Sequence, residues 1–137
     1  MPTSVDDFVW NLSTMPRLPG FPLGVAMGGA EQTAVQLECF VDFMCPFSKR
    51  ISKMLVEVVK PHYGPKLNLI FHPMPQPWHP QGCVVHEVFH CAVTVDPSKM
   101  QELYLVTMEE ANPKFCDVPS YELSRKDIHE AFADIYA

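Results

Sequence analysis

No stretch of the chain approaches the roughly 20 consecutive apolar residues that a membrane-spanning helix needs, so no membrane partner is expected. An excess of positive charge is missing too. Ten Lys and Arg stand against sixteen Asp and Glu, a net charge of −6, and the one basic cluster is Lys49–Lys53. That balance argues against nucleic acid as a partner. The N-terminus, MPTSVDDFVWNLSTMPRLPGF, has neither the basic start nor the apolar run of a secretory leader. The expected location is therefore intracellular and cytoplasmic, and the Asn11-Leu12-Ser13 sequon reads as a chance match. Five cysteines are an odd count, at spacings that suggest no disulfide framework, which agrees with a reducing compartment. Internal repeats and low-complexity tracts are absent as well.

What is present is enough for one domain. The 137 residues are 47% hydrophobic, well above the composition of a disordered chain. Fourteen prolines, about twice the usual frequency, cluster at Met15–Leu23 and Pro73–Pro80 and mark two rigid, irregular connections. Residues 1–32 read as an extended arm in which Phe8, Val9, Trp10 and Leu12 can dock on a core. Residues 33–137 read as the domain, with a βαβ unit over 33–72 and a helical part over 82–137.

Within Thr33–Phe43, Val35, Leu37, Cys39, Val41 and Phe43 share one face. Cys39–Val41 is continuously apolar, as expected of an interior strand covered on both sides. A helix over Pro46–Lys60 follows, with Pro46 in its first turn, where a missing N–H costs nothing. Its apolar stripe is Phe47, Ile51, Met54, Leu55, Val58 and Val59, and Pro61 and Gly64 end it. Leu67–His72 is a second strand, and strand–helix–strand predicts a parallel pair. Gly82–Val95 is almost wholly apolar and is expected to be buried. Asp96-Pro97 starts another helix, which Asn112-Pro113 stops near Ala111. Ser124-Arg125-Lys126-Asp127 resembles a capping box and opens a last helix that turns Ile128, Ala131, Phe132 and Ile135 inward.

The chemistry concentrates where the first strand meets the first helix, in VQLECFVDFMCPFS (Val35–Ser48). Cys45 falls at a helix start, where free amides and the positive end of the helix dipole favour a thiolate over a thiol. Lys49, Arg50 and Lys53 push the same way. The opposing reading is a buried structural cysteine. Ser48 stands where a second cysteine would complete Cys-x-x-Cys, so redox chemistry here must use one thiol. Ser48 is either a silent replacement or a hydroxyl that hydrogen-bonds the thiolate.

Strand, Cys-Pro-Phe-Ser, then helix resembles the active-site layout of the DsbA-like branch of the thioredoxin superfamily, whose sites often read D-F-x-C-P-F/Y-C/S. The segment Leu69–Val95, with its Gln76-Pro77-Trp78-His79-Pro80 turn before an apolar helix, is similar to the entry into that branch's helical insertion. The two motifs together resemble eukaryotic DsbA-like proteins over about Pro22–Ala137. The resemblance implies an α/β, thioredoxin-like (DsbA-like) fold: a βαβ unit plus a helical insertion. It also implies a site built of Cys45, Pro46 and Ser48, with Phe47, Trp78 and His79 lining a peptide- or glutathione-binding groove. Three departures stand out. Ser48 replaces the resolving cysteine. The carboxylate six residues before the nucleophile falls on Cys39, with Glu38 one position off and pointing to the other face. The cis-proline loop and C-terminal strands are missing before Ala137, and Val118-Pro119-Ser120 imitates that loop only superficially. Exposed sheet edges then favour a homo-oligomer.

Three functions follow. The first is a monothiol thiol-disulfide oxidoreductase in which Cys45 forms mixed disulfides with protein thiols or glutathione, and glutathione, as co-substrate, resolves them. The second is a kappa-class-like glutathione transferase, since that class carries S-P-Y/F-S in this place. The third is a catalytically inactive thioredoxin-like scaffold or binding module. No bound cofactor is expected. Cys39, Cys83 and Cys91 read as core packing, and Cys116 as the accessible one. Met44, Met54, Met74, Met100 and Met108 read as packing, and so does Trp78 if it lines no groove. His79, Cys83, His86 and His90 raise a metal site, against the simpler reading of His86, Glu87 and His90 as a polar stripe. No metal is expected.

Overall fold

The computed structural model describes residues 24–28, 35–116 and 118–137. The proposed docking of Phe8, Val9, Trp10 and Leu12 and the Asn11 sequon lie outside the described residues. Within the expected arm, Val25–Ala26 forms a strand (β1). With β2 (Val35–Val41) and β3 (Leu67–Pro73) it makes a three-stranded sheet ordered β1-β3-β2. Gly24, just before β1, has no room for a side chain: a Cβ there would lie 2.6 Å from Ile70 Cγ2 and 2.9 Å from the Phe71 carbonyl.

β2 and β3 pair in parallel from Val35↔Leu67 to Val41↔Pro73, while β1 is antiparallel to β3. β3 is therefore the interior strand, and its Leu67–Phe71 are all buried. β2 is an edge strand among the described residues. Phe40 is 64% exposed, which overturns the expectation of a strand covered on both faces. Glu38 does lie on the face away from the helices' core, paired with His72 (Nε2–Oε2 2.9 Å).

The first helix runs as α1 (Pro46–Met54), a π-helical turn (Leu55–Val59) and α2 (Lys60–Tyr63). Pro61 does not end it. A proline has no N–H for the carbonyl four residues back and crowds it. The wider π turn, in which the Lys60 N–H reaches Leu55 O, takes up that defect. Gly64, at φ +55°, ends the helix in a backbone region that favours glycine.

The expected stripe holds only in part: Leu55 and Val59 pack on the core, but Phe47, Ile51, Met54 and Val58 are exposed, and Ser48 and Ser52 face in. The reason is hydrogen bonding. Ser52 Oγ lies 2.9 Å from the fully buried Tyr104 hydroxyl, which would otherwise be unpartnered. Burial pushes the Tyr104 hydroxyl well above its ordinary range, with Ser52 partly opposing it, so it stays protonated.

α3 (Gly82–Val95) and α4 (Met100–Phe115, entered through a 3₁₀ turn at Pro97–Lys99) follow. α4 does not stop at Asn112-Pro113. The carbonyl that Pro113 cannot serve belongs to Glu109, and Lys49 Nζ donates to it at 2.9 Å. α3 is buried on one side only, through Val85, His86, Val88 and Phe89, while Cys83, Cys91 and Val95 are exposed. Cys83 and Cys91 are therefore not core cysteines. Met54 and Met74 are exposed as well, whereas Met44 and Met108 pack in the core.

α5 (Arg125–Tyr136) opens on a complete capping box. Ser124 Oγ accepts from the Asp127 N–H, and Asp127 Oδ2 accepts from the Ser124 N–H at 2.8 Å. Ile128 and Phe132 insert into the core, with Ala131 and Ile135 packed against it. Ser124→Ala should cost about 1 kcal/mol of stability, the usual value of an N-cap hydroxyl. A shift in urea midpoint without a change in slope would register it.

Candidate active site

Cys45 is the N-cap residue of α1, extended at φ −86° and ψ 120°, with Pro46 at the first helical position. Its N–H donates to Asp42 O (3.1 Å), closing the turn Asp42–Cys45, and its carbonyl accepts from the Lys49 N–H (3.0 Å). The residue is 8% exposed and its sulfur makes no cap hydrogen bond. Cys45 thus occupies the helix-start position expected for it, at the edge of the core rather than on an open surface. Lys49 is drawn away to Glu109 (2.8 Å), and that contact is the main cause holding the Glu109 carboxyl below its usual range.

The turn is fixed from three sides. Phe43 is fully buried against Phe89 and Tyr104 (ring centroids 5.0 and 5.6 Å apart), and Tyr104 in turn stacks on Phe71 of β3. Met44 is also fully buried, and its carbonyl accepts from Asn112 Nδ2 of α4 at 2.6 Å. The third hold is Asp42, the residue sequence reasoning missed. Its side chain is buried, and its two oxygens take four hydrogen-bond contacts. Oδ1 accepts from the Met44 N–H (2.9 Å) and from His86 Nε2 (3.0 Å). Oδ2 accepts from the Gln76 N–H (2.9 Å) and His79 Nδ1 (2.6 Å). Burial alone would raise this carboxyl; the His86, His79 and backbone bonds outweigh burial and hold it well below its ordinary range. An ionised carboxylate only accepts, so His79 Nδ1 presents its proton to Asp42, whereas His86 Nε2 lies between Asp42 Oδ1 (3.0 Å) and the Phe43 N–H (3.3 Å).

The remaining candidates separate. Ser48 is buried, and its oxygen accepts from the Asp42 N–H at 3.2 Å, so it acts on the turn that carries Cys45. His79 leaves the expected groove and binds Asp42. Trp78 beside it is 66% exposed and plugs no helical layer, and Phe47 is 77% exposed. His86 is no member of a polar stripe: it packs on Phe43 (centroids 4.7 Å) and its Nδ1 has no hydrogen-bond partner among the described residues. Burial, then the His86 charge, lower His90. Among the described residues no group of three or more His, Cys, Asp or Glu could hold a metal ion; His79 and His86 bond Asp42 instead, and His90 is exposed. Burial pushes the Cys39 thiol up, which makes it a poor nucleophile. Val118–Ser120 is a 3₁₀ turn. No helix among the described residues is long and apolar enough to cross a membrane.

No family model and no curated protein matches the sequence. Solved structures do. The catalytic domain of Proteus mirabilis ScsC superposes with a TM-score of 0.54 at 19% identity, over 79% of this chain and 55% of that one. Proteus mirabilis ScsC in a compact conformation gives 0.56 at 20%, over 82% and 50%. The same protein in a transitional conformation gives 0.55 at 19%, over 82% and 46%. The chain spans about half the length of the structures it matches. The fold is thioredoxin-like, of the DsbA-like form, with its βαβ unit and helical part in the expected order.

Proposed function

We propose that this chain is a thiol-disulfide oxidoreductase-like protein with a single working thiol, Cys45. One observation carries the reading: a DsbA-like fold places Cys45 as the N-cap of α1, on a turn clamped by Asp42. The reaction is thiol–disulfide exchange. The Cys45 thiolate attacks one sulfur of a disulfide, the S–S bond breaks, the other sulfur leaves as a thiolate, and a mixed disulfide remains. The side chain at position 48 is a hydroxyl and cannot displace it. A second external thiolate, with glutathione as the natural candidate, attacks the mixed disulfide and returns Cys45 to its starting state. Trp78 and Phe47 offer exposed aromatic surface to the incoming partner.

Glutathione disulfide followed by intact-mass measurement and peptide mapping tests this. One glutathionyl group on Cys45, removed by excess glutathione, is the expected result. The inert-scaffold reading draws on the low exposure of Cys45. Adducts confined to the exposed Cys83 and Cys91 would favour it. Conjugation of glutathione to an electrophile without any mixed disulfide would favour the transferase reading instead.

A further inference from the structure

Two imidazoles close on the buried Asp42 carboxylate, and they end differently. His86 is sealed in. Its Nε2 lies between Asp42 Oδ1 and the Phe43 N–H, and its Nδ1 is buried with no partner among the described residues. His79 is held at one nitrogen only. Its Nδ1 lies 2.6 Å from Asp42 Oδ2, the shorter of the two imidazole contacts, which fixes the ring proton on Nδ1. Its Nε2 has no hydrogen-bond partner among the described residues and is not shut away from solvent as His86 Nδ1 is. A buried carboxylate that orients one ring nitrogen and leaves the other open is the arrangement of a histidine that moves protons.

Both members of the pair bear on the turn that carries Cys45. The Asp42 carbonyl accepts the Cys45 N–H, and Asp42 Oδ1 accepts the Met44 N–H. His79 reaches the same turn from the start of α3. A Cβ on Gly82 would stand 3.4 Å from His79 Cβ and 3.9 Å from Met44 Cγ, and Met44 precedes Cys45. Cys45 and His79 keep the same small exposure, 8% each, at the rim of the core. The Cys45 sulfur makes no cap hydrogen bond, and Lys49, one turn along α1, is engaged by Glu109. The thiol therefore needs another group to take its proton.

We infer that His79 is the proton carrier for Cys45, working across one bridging water and oriented by Asp42. The inference rests on Cys45 being the exchanging thiol. A single water is an ordinary link between a histidine and a group just beyond direct reach. The Cys45 S–H gives its proton to Nε2, and the ionised Asp42 offsets the imidazolium charge through the Nδ1–H bond. The thiolate attacks the substrate disulfide, the S–S bond breaks, and the departing thiolate takes the proton back from Nε2. One proton leaves the ring for each one gained, and no further reactant enters. The titratable groups around the ring are Asp42 of the β2–α1 turn, His86 of α3 across that carboxylate, and Cys45 itself.

The rate of mixed-disulfide formation with glutathione disulfide, read at Cys45 by quenching and peptide mass, separates this role from a purely structural one. His79→Gln keeps a side-chain N–H for Asp42 and removes the proton acceptor. At neutral pH its rate should fall about a hundredfold, the lower end for a positioned proton-transfer group. In alkali the two proteins should converge, because hydroxide there does what His79 did. A second readout does not depend on that variant. Followed by NMR, the His79 ring should take up its proton at lower pH in Cys45→Ser than in the parent, since its thiolate partner is gone. Equal rates at neutral pH, or a parallel loss at every pH, would overturn the inference and leave Cys45 as the exchanging thiol. So would a His79 titration that Cys45→Ser does not move. Adducts on Cys83 and Cys91 alone would remove the underlying reading of Cys45, and the inference with it.

Discussion

Asp42→Ala should cost about 3–5 kcal/mol, the large end of single substitutions, as expected when a buried hydrogen-bond network is broken. The size follows from what is left behind. Two backbone amides (Met44 and Gln76) and two imidazole nitrogens (His79 Nδ1 and His86 Nε2) lose their acceptor inside the protein, at about 1–3 kcal/mol for each orphaned group before relaxation. Against a total stability of roughly 5–15 kcal/mol for a small domain, that approaches unfolding. Asp42→Asn should be milder but still damaging, because its amide nitrogen would face the Gln76 N–H or the Met44 N–H, donor against donor.

The same residue sets the acid limb of the stability curve. The folded carboxyl sits below its unfolded value of about 3.9, so the unfolded state binds the proton more readily. Stability from Asp42 is therefore fully present above that unfolded value and is lost as pH falls toward the folded one. Urea midpoints measured across that window should fall steeply with pH in the unaltered protein and more gently in Asp42→Asn. Parallel slopes would show that Asp42 does not hold its proton less tightly when folded.

The second large effect is expected at Ser48. Residues three apart at a helix start hold their Cα atoms within disulfide reach, about 4.4–6.8 Å. Ser48→Cys should therefore supply the missing internal nucleophile. A mixed disulfide formed on Cys45 would be attacked by the introduced thiol, expelling the substrate thiolate and leaving an intramolecular disulfide. Captured adducts that persist in the unaltered protein should disappear without added glutathione. Some loss of stability accompanies the change, since sulfur accepts the Asp42 N–H less well than the Ser48 oxygen does. Adducts as long-lived in the variant as in the parent would show that Cys45 and position 48 cannot meet, and the exchange chemistry would fail with them.

Much of this architecture was legible in the chain itself. The β2–α1–β3 unit, the boundaries of α3 and the Ser124 capping box follow from apolar runs, prolines and cap residues, because each is decided within a few neighbouring residues. The inward face of α1 was not legible. Its period singles out Phe47, Ile51, Met54, Leu55, Val58 and Val59, of which only Leu55 and Val59 pack inward; Tyr104, arriving from a distant helix, and the Asp42 N–H of the adjoining turn take their hydroxyl partners from positions 52 and 48. Pro61 and Pro113 read as stops for the same reason: a π turn excuses one and a lysine from another helix excuses the other. Asp42 stands in the Asp-Phe-x-Cys signature, three residues before Cys45 rather than the six at which the family's carboxylate is expected. What identifies it is the arrival of His79 and His86, 37 and 44 residues further along the chain. The available signal is the histidine within the Trp78-His79-Pro80 turn followed by His86, a pattern that metal-like spacing with Cys83 and His90 obscures.

The central claim is that position in the fold, more than exposure, makes Cys45 the reactive thiol. Timed alkylation of the folded protein with a small maleimide, read out by peptide mass for all five cysteines, tests it most directly. The account predicts that Cys45 is modified first, ahead of the more exposed Cys83 and Cys91. A Cys45 that stays unmodified until the protein unfolds, while Cys83 and Cys91 react, would contradict it.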